Sequence, residues 1–488
     1  MKLTQLTKVL DQFDTGRITS DFEVAGISAN SKNVGNNFVF VAVKGNSCDG
    51  NVFIKEAVNN GAKAIVTSDA PEQASNINGV LFIRAADTRK ALADLAGEFY
   101  GHPSSKIKVA GITGTNGKTT VSYLIEALFK EADCAAGVIG TINYRFKNNQ
   151  FPSKNTTPGP VELQAILAQM LRNKVGYVAM EVSSHGLDQE RTAGIKFDSA
   201  IFTNLTQDHL DYHKTLEKYF LAKAKLFSGL EEGACAIING DDLYGRKIQA
   251  LSKARVISYG LGLKNDLTAR DIKFDLSGSE FILKGLSQEI SLKTKLIGRH
   301  NLYNILAAAA FGLKEGLDIS LIKSAVEKFE LVPGRLERID SRRGFAVFID
   351  YAHTDDALNN VITALRQISK ARIILVFGCG GDRDKIKRPK MGKTACELAD
   401  YAIITNDNPR CEDPESIIND IKAGIETNNY CVIPDRFLAI KRSLSLAAAG
   451  DIVLIAGKGH ENYQVLKDKI IDFSDRQAVK ECLELMKY

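Results

Sequence analysis

Long apolar runs are missing from this chain: none reaches the roughly 18 residues that a membrane-spanning helix needs, so no segment of the 488 residues reads as a membrane insertion. The first residues, Met1 to Asp14, alternate polar and apolar side chains and lack the apolar core of a signal peptide. The eight cysteines include no CxxC pair and no disulfide-like spacing. That usage implies reduced thiols and a cytoplasmic location. A strong charge excess is also missing. The net charge is +5, spread along the chain, which suits phosphorylated small molecules and argues against nucleic acid as a partner. The most basic stretch, Arg383 to Lys393, follows a glycine cluster and reads as an anion loop. Repeats and low-complexity tracts are absent.

What remains is the composition of a globular protein, 44% hydrophobic and 25% charged. Its length implies roughly three domains. Residues 1–88 carry short strand patterns such as Phe38 to Ala42 and Ala64 to Thr67 around a helix, a small α/β unit. Residues 89–334 open on a buried-strand pattern, Ile107 to Ile112, and continue through strand candidates at Tyr177 to Met180 and Ala200 to Thr203. From about Ala234 to Leu296 the pattern is β-rich with few helical periods. Residues 335–488 alternate strands (Ala346 to Ile349, Ile373 to Val376, Ala402 to Ile404, Ile452 to Ile455) with amphipathic helices, which implies a parallel, doubly wound, Rossmann-like sheet. Ligands of such sheets sit at the carboxyl ends of the strands, where the unusual residue clusters of this region fall.

Gly111-Ile-Thr-Gly-Thr-Asn-Gly117-Lys118-Thr119-Thr120 joins the first of these strands to a helix in which Val121, Leu124, Ile125 and Leu128 share a face. Glycines let backbone N–H groups approach phosphate oxygens, and the helix N-terminus adds partial positive charge. Lys118 is the candidate for the terminal phosphates and Thr119 for magnesium. Ile112 stands where the common P-loop has its first glycine, so this is a variant loop. Glu181, at the end of the strand Tyr177 to Met180, reads either as a magnesium ligand or as part of a helix start capped by Ser183 or Ser184. Asp208-His209-Leu-Asp211-Tyr-His213 concentrates two aspartates and two histidines, a pattern that suggests a metal or phosphate site. Of seven histidines, all but His102 lie in polar clusters at strand or loop ends. In the helical stretch Tyr219 to Phe227, Lys223 and Lys225 read by themselves as solvated surface charges. Gly378-Cys-Gly-Gly381-Asp382-Arg383, Asp407-Asn408-Pro409-Arg410 and Gly457-Lys458-Gly459-His460-Glu461 each follow a strand of the third region. An arginine fork for a carboxylate and a glutamate for an ammonium would suit a zwitterionic amino acid. Asp407 to Arg410 also reads as an ordinary turn.

Taken together, Gly114 to Thr120, Glu181 to His185, Asp208 to His213, Gly298-Arg-His-Asn301-Leu-Tyr-Asn304, Gly334 to Glu337 and Asp350-Tyr-Ala-His353 resemble the Mur ligase family over nearly the whole chain. The resemblance implies a UDP-binding domain, a central ATPase domain and a Rossmann-like C-terminal domain. It implies an ATP-dependent, monomeric ligase of cytoplasmic cell-wall synthesis that joins an amino acid to a UDP-linked muramoyl peptide through an acyl phosphate. On that likeness Gly114, Thr115, Asn116, Gly117, Lys118, Thr119, Thr120, Asn301, Arg335 and Asp350 hold ATP. Thr119, Glu181, His209 and a carbamylated Lys223, its carbamate derived from carbon dioxide, hold magnesium. Ser31 (with the loop Gly45 to Gly50), Asn155, Thr156, Thr157, Ser183 and Arg191 meet the UDP-muramoyl dipeptide. Arg383, Asp407, Asn408, Arg410, Gly457 and Glu461 form the amino-acid pocket. The form with Arg410 goes with meso-diaminopimelate, whose second carboxylate lysine lacks. The chain departs from the family pattern at Asn30-Ser31-Lys32, usually Asp-Ser-Arg, and at Asp355, usually proline. A folate polyglutamylator, a P-loop switch or motor, and a non-catalytic nucleotide module are the rival readings; the residues after Asp350, the Asp407 to Arg410 loop and the N-terminal domain argue against the first, the third-region clusters against the second, and Lys118, Glu181, His209 and Lys223 together against the third.

Overall fold

A computed structural model describes residues 1–10, 21–45, 48–68, 79–285 and 287–486. The end of the N-terminal stretch and Asn46 and Ser47 of the Gly45 to Gly50 loop lie outside the described residues. Among the described residues the strands form a four-stranded, an eleven-stranded and a six-stranded sheet and a two-stranded ribbon. No described helix is long and apolar enough to cross a membrane.

The first sheet pairs Gly26–Ser28, Phe38–Val41, Ala62–Thr67 and Leu81–Arg84 in parallel. Helix Thr88–Tyr100, capped by the Asp87 carboxylate, lays Ala91, Leu92 and Leu95 on this sheet with Val39, Val41 and Val66. The sequence reading put that helix at the start of the second domain; its apolar face is buried on the first.

The large sheet has a parallel centre in the spatial order Leu267–Asp275, Arg255–Tyr259, Cys235–Asn239, Ser199–Phe202, Lys108–Thr113, Tyr177–Glu181 and Ala136–Ile139. Antiparallel strands extend it at both ends. Its central strands are apolar on both faces because helices cover both. Helix Lys118–Glu131 buries Val121, Leu124, Ile125 and Leu128 on one face, beside Arg299–Lys314 and Ile319–Lys328. Pro160–Arg172 and Leu216–Ser228 cover the other. The β-rich reading of Ala234 to Leu296 holds, with one addition: helix Leu243–Leu251 interrupts it. Only Gly245 and Ile248 of that helix are buried, although Tyr244, Ile248 and Leu251 recur at helical spacing; the Asp242 carboxylate caps its first amides.

The third sheet has the order Glu337–Asp340, Ala346–Asp350, Ile452–Ala456, Ile373–Phe377, Tyr401–Ile404 and Tyr430–Val432. Every pairing is parallel except the first. The fully parallel expectation fails at that edge because the few residues between Asp340 and Ala346 make a hairpin, too short for a parallel crossover. The basic stretch read as an anion loop turns into helix Lys387–Leu398, and its Arg388 is fully buried against Glu412 and Asp420. Its charge is neutralised inside the domain.

A second buried pair ties the last helix, Asp475–Leu485, to this sheet. Arg436 donates from Nε and Nη2 to both Asp475 oxygens at 2.7 and 2.8 Å and from Nη2 to the Ala456 carbonyl at 2.9 Å, with both side chains wholly buried. Removing one partner strands a buried charge, so Asp475→Ala is expected to lower the unfolding free energy by about 3–5 kcal/mol. Denaturant titration followed by circular dichroism measures this; a change under about 1 kcal/mol would show that the pair is dispensable.

Candidate active site

The turn after Lys108–Thr113 is built for close backbone approach. Gly114 has φ of 151°, and a β-carbon there would sit 1.9 Å from the Thr203 hydroxyl. Lys118 opens the helix and folds back so that Nζ donates to the carbonyls of Gly114 and Thr115 at 2.9 and 2.8 Å. Burial, opposed by Glu181 and Asp208, lowers its pKa. Thr115, Asn116, Gly117 and Lys118 line a cavity of about 550 Å³, within the range that holds a small-molecule ligand. The cavity also takes in Thr119, Thr120, Thr156, Glu181, Ser183, His209, Asn301, Arg335 and Asp350. Gly114, Lys223, Asn155, Thr157 and Arg191 are not part of its wall.

Glu181 is almost wholly buried. Its Oε2 accepts from the hydroxyls of Thr119 and Thr141 at 3.1 and 2.9 Å, and its Oε1 accepts from the Thr141 amide at 3.0 Å. The helix-start alternative describes its neighbour: Ser183 Oγ accepts from Gly186 N at 3.0 Å. Sequence reasoning missed Thr141, although it follows the strand Ala136–Ile139 next to Glu181's own strand. Among the described residues, no three His, Cys, Asp or Glu side chains converge as a ligand set. One carboxylate with two hydroxyls beside a phosphate-binding loop nevertheless fits magnesium, which keeps several waters and takes few protein ligands.

The Asp208 to His213 cluster divides. His209 stays at the cavity with φ of 55°, its Nε2 3.4 Å from Asp208 Oδ2. Burial holds this imidazole well below the usual histidine range, and the pKa of Asp208 is lowered in spite of its own burial, with Lys387 nearby and the His209 amide donating to its Oδ1 at 2.8 Å. His213 turns away from the cavity to Ser184 Oγ at 3.0 Å, and Asp211 is exposed. The four residues therefore do not form one site.

Lys223 corrects the surface reading. It is 1% exposed, and Nζ donates to the Gly114 carbonyl at 2.8 Å. Burial, reinforced by nearby Lys118, pushes its pKa far down and favours the neutral amine. The helix explains the placement: Tyr219, Lys223 and Phe227 recur every four residues on the buried face, and Lys225 lies off it, half exposed. That period was readable in the sequence.

Residues of the third domain close the cavity. Arg335 Nη2 donates to the Thr119 hydroxyl at 3.3 Å and its guanidinium lies over the Tyr351 ring. Asp350 accepts from the amides of Leu336 and Ala352 at 2.7 and 2.8 Å, so it fixes the backbone on both sides as well as lining the cavity. Asp356, unnoticed in the sequence, accepts from Asn116 Nδ2 at 2.8 Å and from Thr206 at 3.0 Å across the domain boundary. Asn301 donates to the Ile297 carbonyl and accepts from Asn304.

On the other side of Glu181, Thr157 accepts from Ser183 N at 2.9 Å, and Arg191 donates to the Thr157 carbonyl at 3.0 Å. Thr156 reaches Thr141 at 3.1 Å. Asn155 is exposed, its carbonyl taken by Tyr144. Ser31 is apart from these, in the first domain, where it donates to Glu56 at 2.7 Å.

The three third-domain clusters meet. Gly381 N donates to the Asn408 carbonyl and Arg410 Nη1 to the Gly381 carbonyl, both within 2.9 Å. Asn408 Nδ2 donates to Glu461 Oε2 at 2.8 Å. A β-carbon on Gly457, at φ of 115°, would fall 2.7 Å from Asp407 Oδ2. The charges of Glu461, Arg410, Asp407 and Arg383 all reach the Tyr463 phenol. Asp407 to Arg410 is thus a turn and a cluster of polar groups at once.

Three family models match: the Mur ligase middle domain over residues 112–312, the Mur ligase glutamate ligase domain over 334–459, and the Mur ligase family catalytic domain over 23–100. The chain is 42% identical, over 99% of both sequences, to the UDP-N-acetylmuramoyl-L-alanyl-D-glutamate–2,6-diaminopimelate ligase of Syntrophomonas wolfei. It is 43% identical to the ligase of the same name from Trichormus variabilis, again over 99% of both. A solved structure of a ligase of that name superposes with a TM-score of 0.68 at 32% identity, covering 95% of this chain and 96% of its own. A MurF ligase of Thermotoga maritima in complex with ADP shares the fold, with a TM-score of 0.66 at 20% identity over 94% of this chain and 97% of its own.

Two measurements test this geometry. Lys118→Ala is expected to lower ATP turnover by at least about a hundredfold; unchanged turnover would remove the cavity from the chemistry. The second concerns acid. Burial depresses His300 and His353 to about 4 and His460 to about 3. Groups depressed below the unfolded value of about 6.5 bind fewer protons when folded. Their stabilisation is present above pH 6.5 and is lost as pH falls toward about 4. Melting scans at pH 7.5, 6 and 5 are expected to show a falling Tm with proton uptake on unfolding; a flat Tm would contradict it.

Proposed function

Because the chain belongs to the Mur ligase family, we propose that it is the ATP-dependent ligase that adds meso-2,6-diaminopimelate to UDP-N-acetylmuramoyl-L-alanyl-D-glutamate, forming ADP and phosphate. The work belongs to cytoplasmic synthesis of the peptidoglycan precursor, upstream of cell shape and division, and the enzyme acts as a monomer on small-molecule substrates. The observation that carries this reading over a plain ATPase is the second lysine. Lys223 and Lys118 both seat their amines on the Gly114 carbonyl beside Glu181. A phosphate loop alone has use for one.

In the reaction the γ-phosphoryl of ATP passes to the D-glutamyl carboxylate. The amine of diaminopimelate then attacks the acyl phosphate, and the tetrahedral intermediate expels phosphate. No side-chain nucleophile is needed; the protein positions reactants and offsets charge. Lys118 and the loop amides from Gly114 to Thr120 hold the terminal phosphates. Asn301, Arg335 and Asp350 hold the rest of the nucleotide, with Arg335 brought by the third domain. Magnesium, when bound, neutralises phosphate charge, and Thr119, Glu181, His209 and Lys223 are the groups that would hold it.

A neutral, buried amine is the form that adds to carbon dioxide. At Lys223 the N–C bond forms, one C=O electron pair moves to oxygen, and a proton leaves to solvent. The product is a carbamate that acts as a carboxylate ligand. Thr156, Thr157, Ser183 and Arg191, with Asn155, hold the muramoyl peptide end, and Ser31 the uridine diphosphate end. Arg383 and Arg410 take the distal carboxylate of diaminopimelate, and Asn408, Asp407 and Glu461 its ammonium.

Phosphate release from ATP with the UDP-muramoyl dipeptide, in parallel with diaminopimelate, L-lysine or no amino acid, tests the reading. Release only with diaminopimelate is expected. Release with lysine alone would leave the ligase chemistry and sink the specificity; equal release without an amino acid would make the protein an ATPase. Carbamylation is expected as a ¹³C resonance after incubation with labelled bicarbonate that disappears in Lys223→Ala. A resonance that persists in the variant would place the carbamate elsewhere.

A further inference from the structure

Lys458 was not among the residues assigned to the amino-acid pocket, yet it lies beneath it. Its side chain is fully buried. Nζ donates to Asn408 Oδ1 at 3.0 Å and to Glu461 Oε2 at 3.1 Å. Asn408 Oδ1 also accepts from the Val465 amide at 2.9 Å, while its Nδ2 donates to that same Glu461 oxygen. The orientation of the Asn408 amide is therefore fixed from both ends. Glu461 is held by one oxygen, leaving Oε1 without a hydrogen-bond partner among the described residues.

A buried ammonium is costly to desolvate, and an apolar chain of similar length packs such a position at least as well. What the ammonium adds here is charge and orientation at two groups that face the crevice. Arg383, Arg410 and Lys458 stand here with the carboxylates Asp407 and Glu461, and buried Arg436, paired to Asp475, also interacts with Asp407 and Glu461. Without Lys458 the cluster carries one positive charge fewer and Glu461 Oε2 loses its ammonium partner. A wall relieved of that charge favours a lone ammonium more. A wall with Lys458 in place favours a distal end that brings its own carboxylate.

Resting on the function proposed above, we infer that Lys458 is a positioning residue that sets amino-acid specificity: its buried ammonium orients Asn408 and Glu461 and disfavours an amino acid whose distal end is a cation alone. Arg410 attracts the second carboxylate; Lys458 supplies the repulsion that attraction alone lacks.

The test uses the full-length chain and ATP-dependent phosphate release with the UDP-muramoyl dipeptide, titrating meso-diaminopimelate and L-lysine separately. In Lys458→Met, KM for diaminopimelate is expected to rise about tenfold with a much smaller change in kcat, and the kcat/KM preference for diaminopimelate over lysine to fall at least about tenfold. An equal loss of kcat with both amino acids at an unchanged preference is the signature of a structural role and overturns the inference, as does no change at all. If Lys458→Met is recovered unfolded, Lys458→Gln carries the test: it keeps a donor and removes the charge, and the same fall in preference is expected, an unchanged preference again overturning the inference. Wild-type protein that responds to neither amino acid would instead overturn the proposed function itself.

Discussion

The register of adjacent parallel strands is the constraint on which the site depends. Ile112 pairs with Glu181, and Thr113 pairs with Phe202. Three strands therefore end at one level, and the residues that follow them share one edge. The glycine turn leaves the middle strand, Glu181 closes its neighbour, and Thr203 to His209 leave the strand on the other side. A slip of one residue would turn Glu181 to the opposite face of the sheet. The two helix layers that bury both faces hold this register fixed, which is why the apolar centre of the sheet matters to the chemistry at its edge.

At that edge the protein gathers charges that would each be costly alone. Lys118 and Arg335 face Glu181, Asp208, Asp350 and Asp356 in one cavity, and burial lowers the pKa of the histidines around them. Low local polarity strengthens every interaction with an incoming phosphate. The same burial lowers the Lys223 pKa far below its usual range and sets it apart from the half-exposed Lys225 two residues on.

The third domain contributes in two ways. Arg335 and Asp356 reach Thr119 and Asn116 of the glycine turn, and Asp350 lines the same cavity, so the contact between domains forms part of the cavity wall. At the ends of its own strands, three loops interlock through backbone and side-chain bonds. Buried Arg388 braces them through Glu412, whose carboxylate also accepts from Asp382 N. These loops and the groups that line the cavity, Arg335, Asp350 and Asp356, thus belong to one domain.

Much of this was legible in the residues. Alternating strand and helix periods gave the α/β class, and the glycine turn with Lys118 and Thr119 marked the loop that lines the cavity, because local geometry and periodicity are properties of short segments. The glycines at Gly457 and Gly114 and the strand-end clusters pointed to where ligands would meet the fold. Other features belong to no short segment. The antiparallel edge Glu337–Asp340 depends on hairpin length. Thr141 serves Glu181 only because their strands are neighbours. Asp356 meets Asn116 only because two domains touch. The division of the Asp208 to His213 cluster, and the burial of Lys223 and Lys458, follow from which side of a chain faces the core. Sequence determined the elements and the chemistry available to them; tertiary packing decided which charges are dry, because desolvation depends on everything that surrounds a group and not on the residues beside it in the chain.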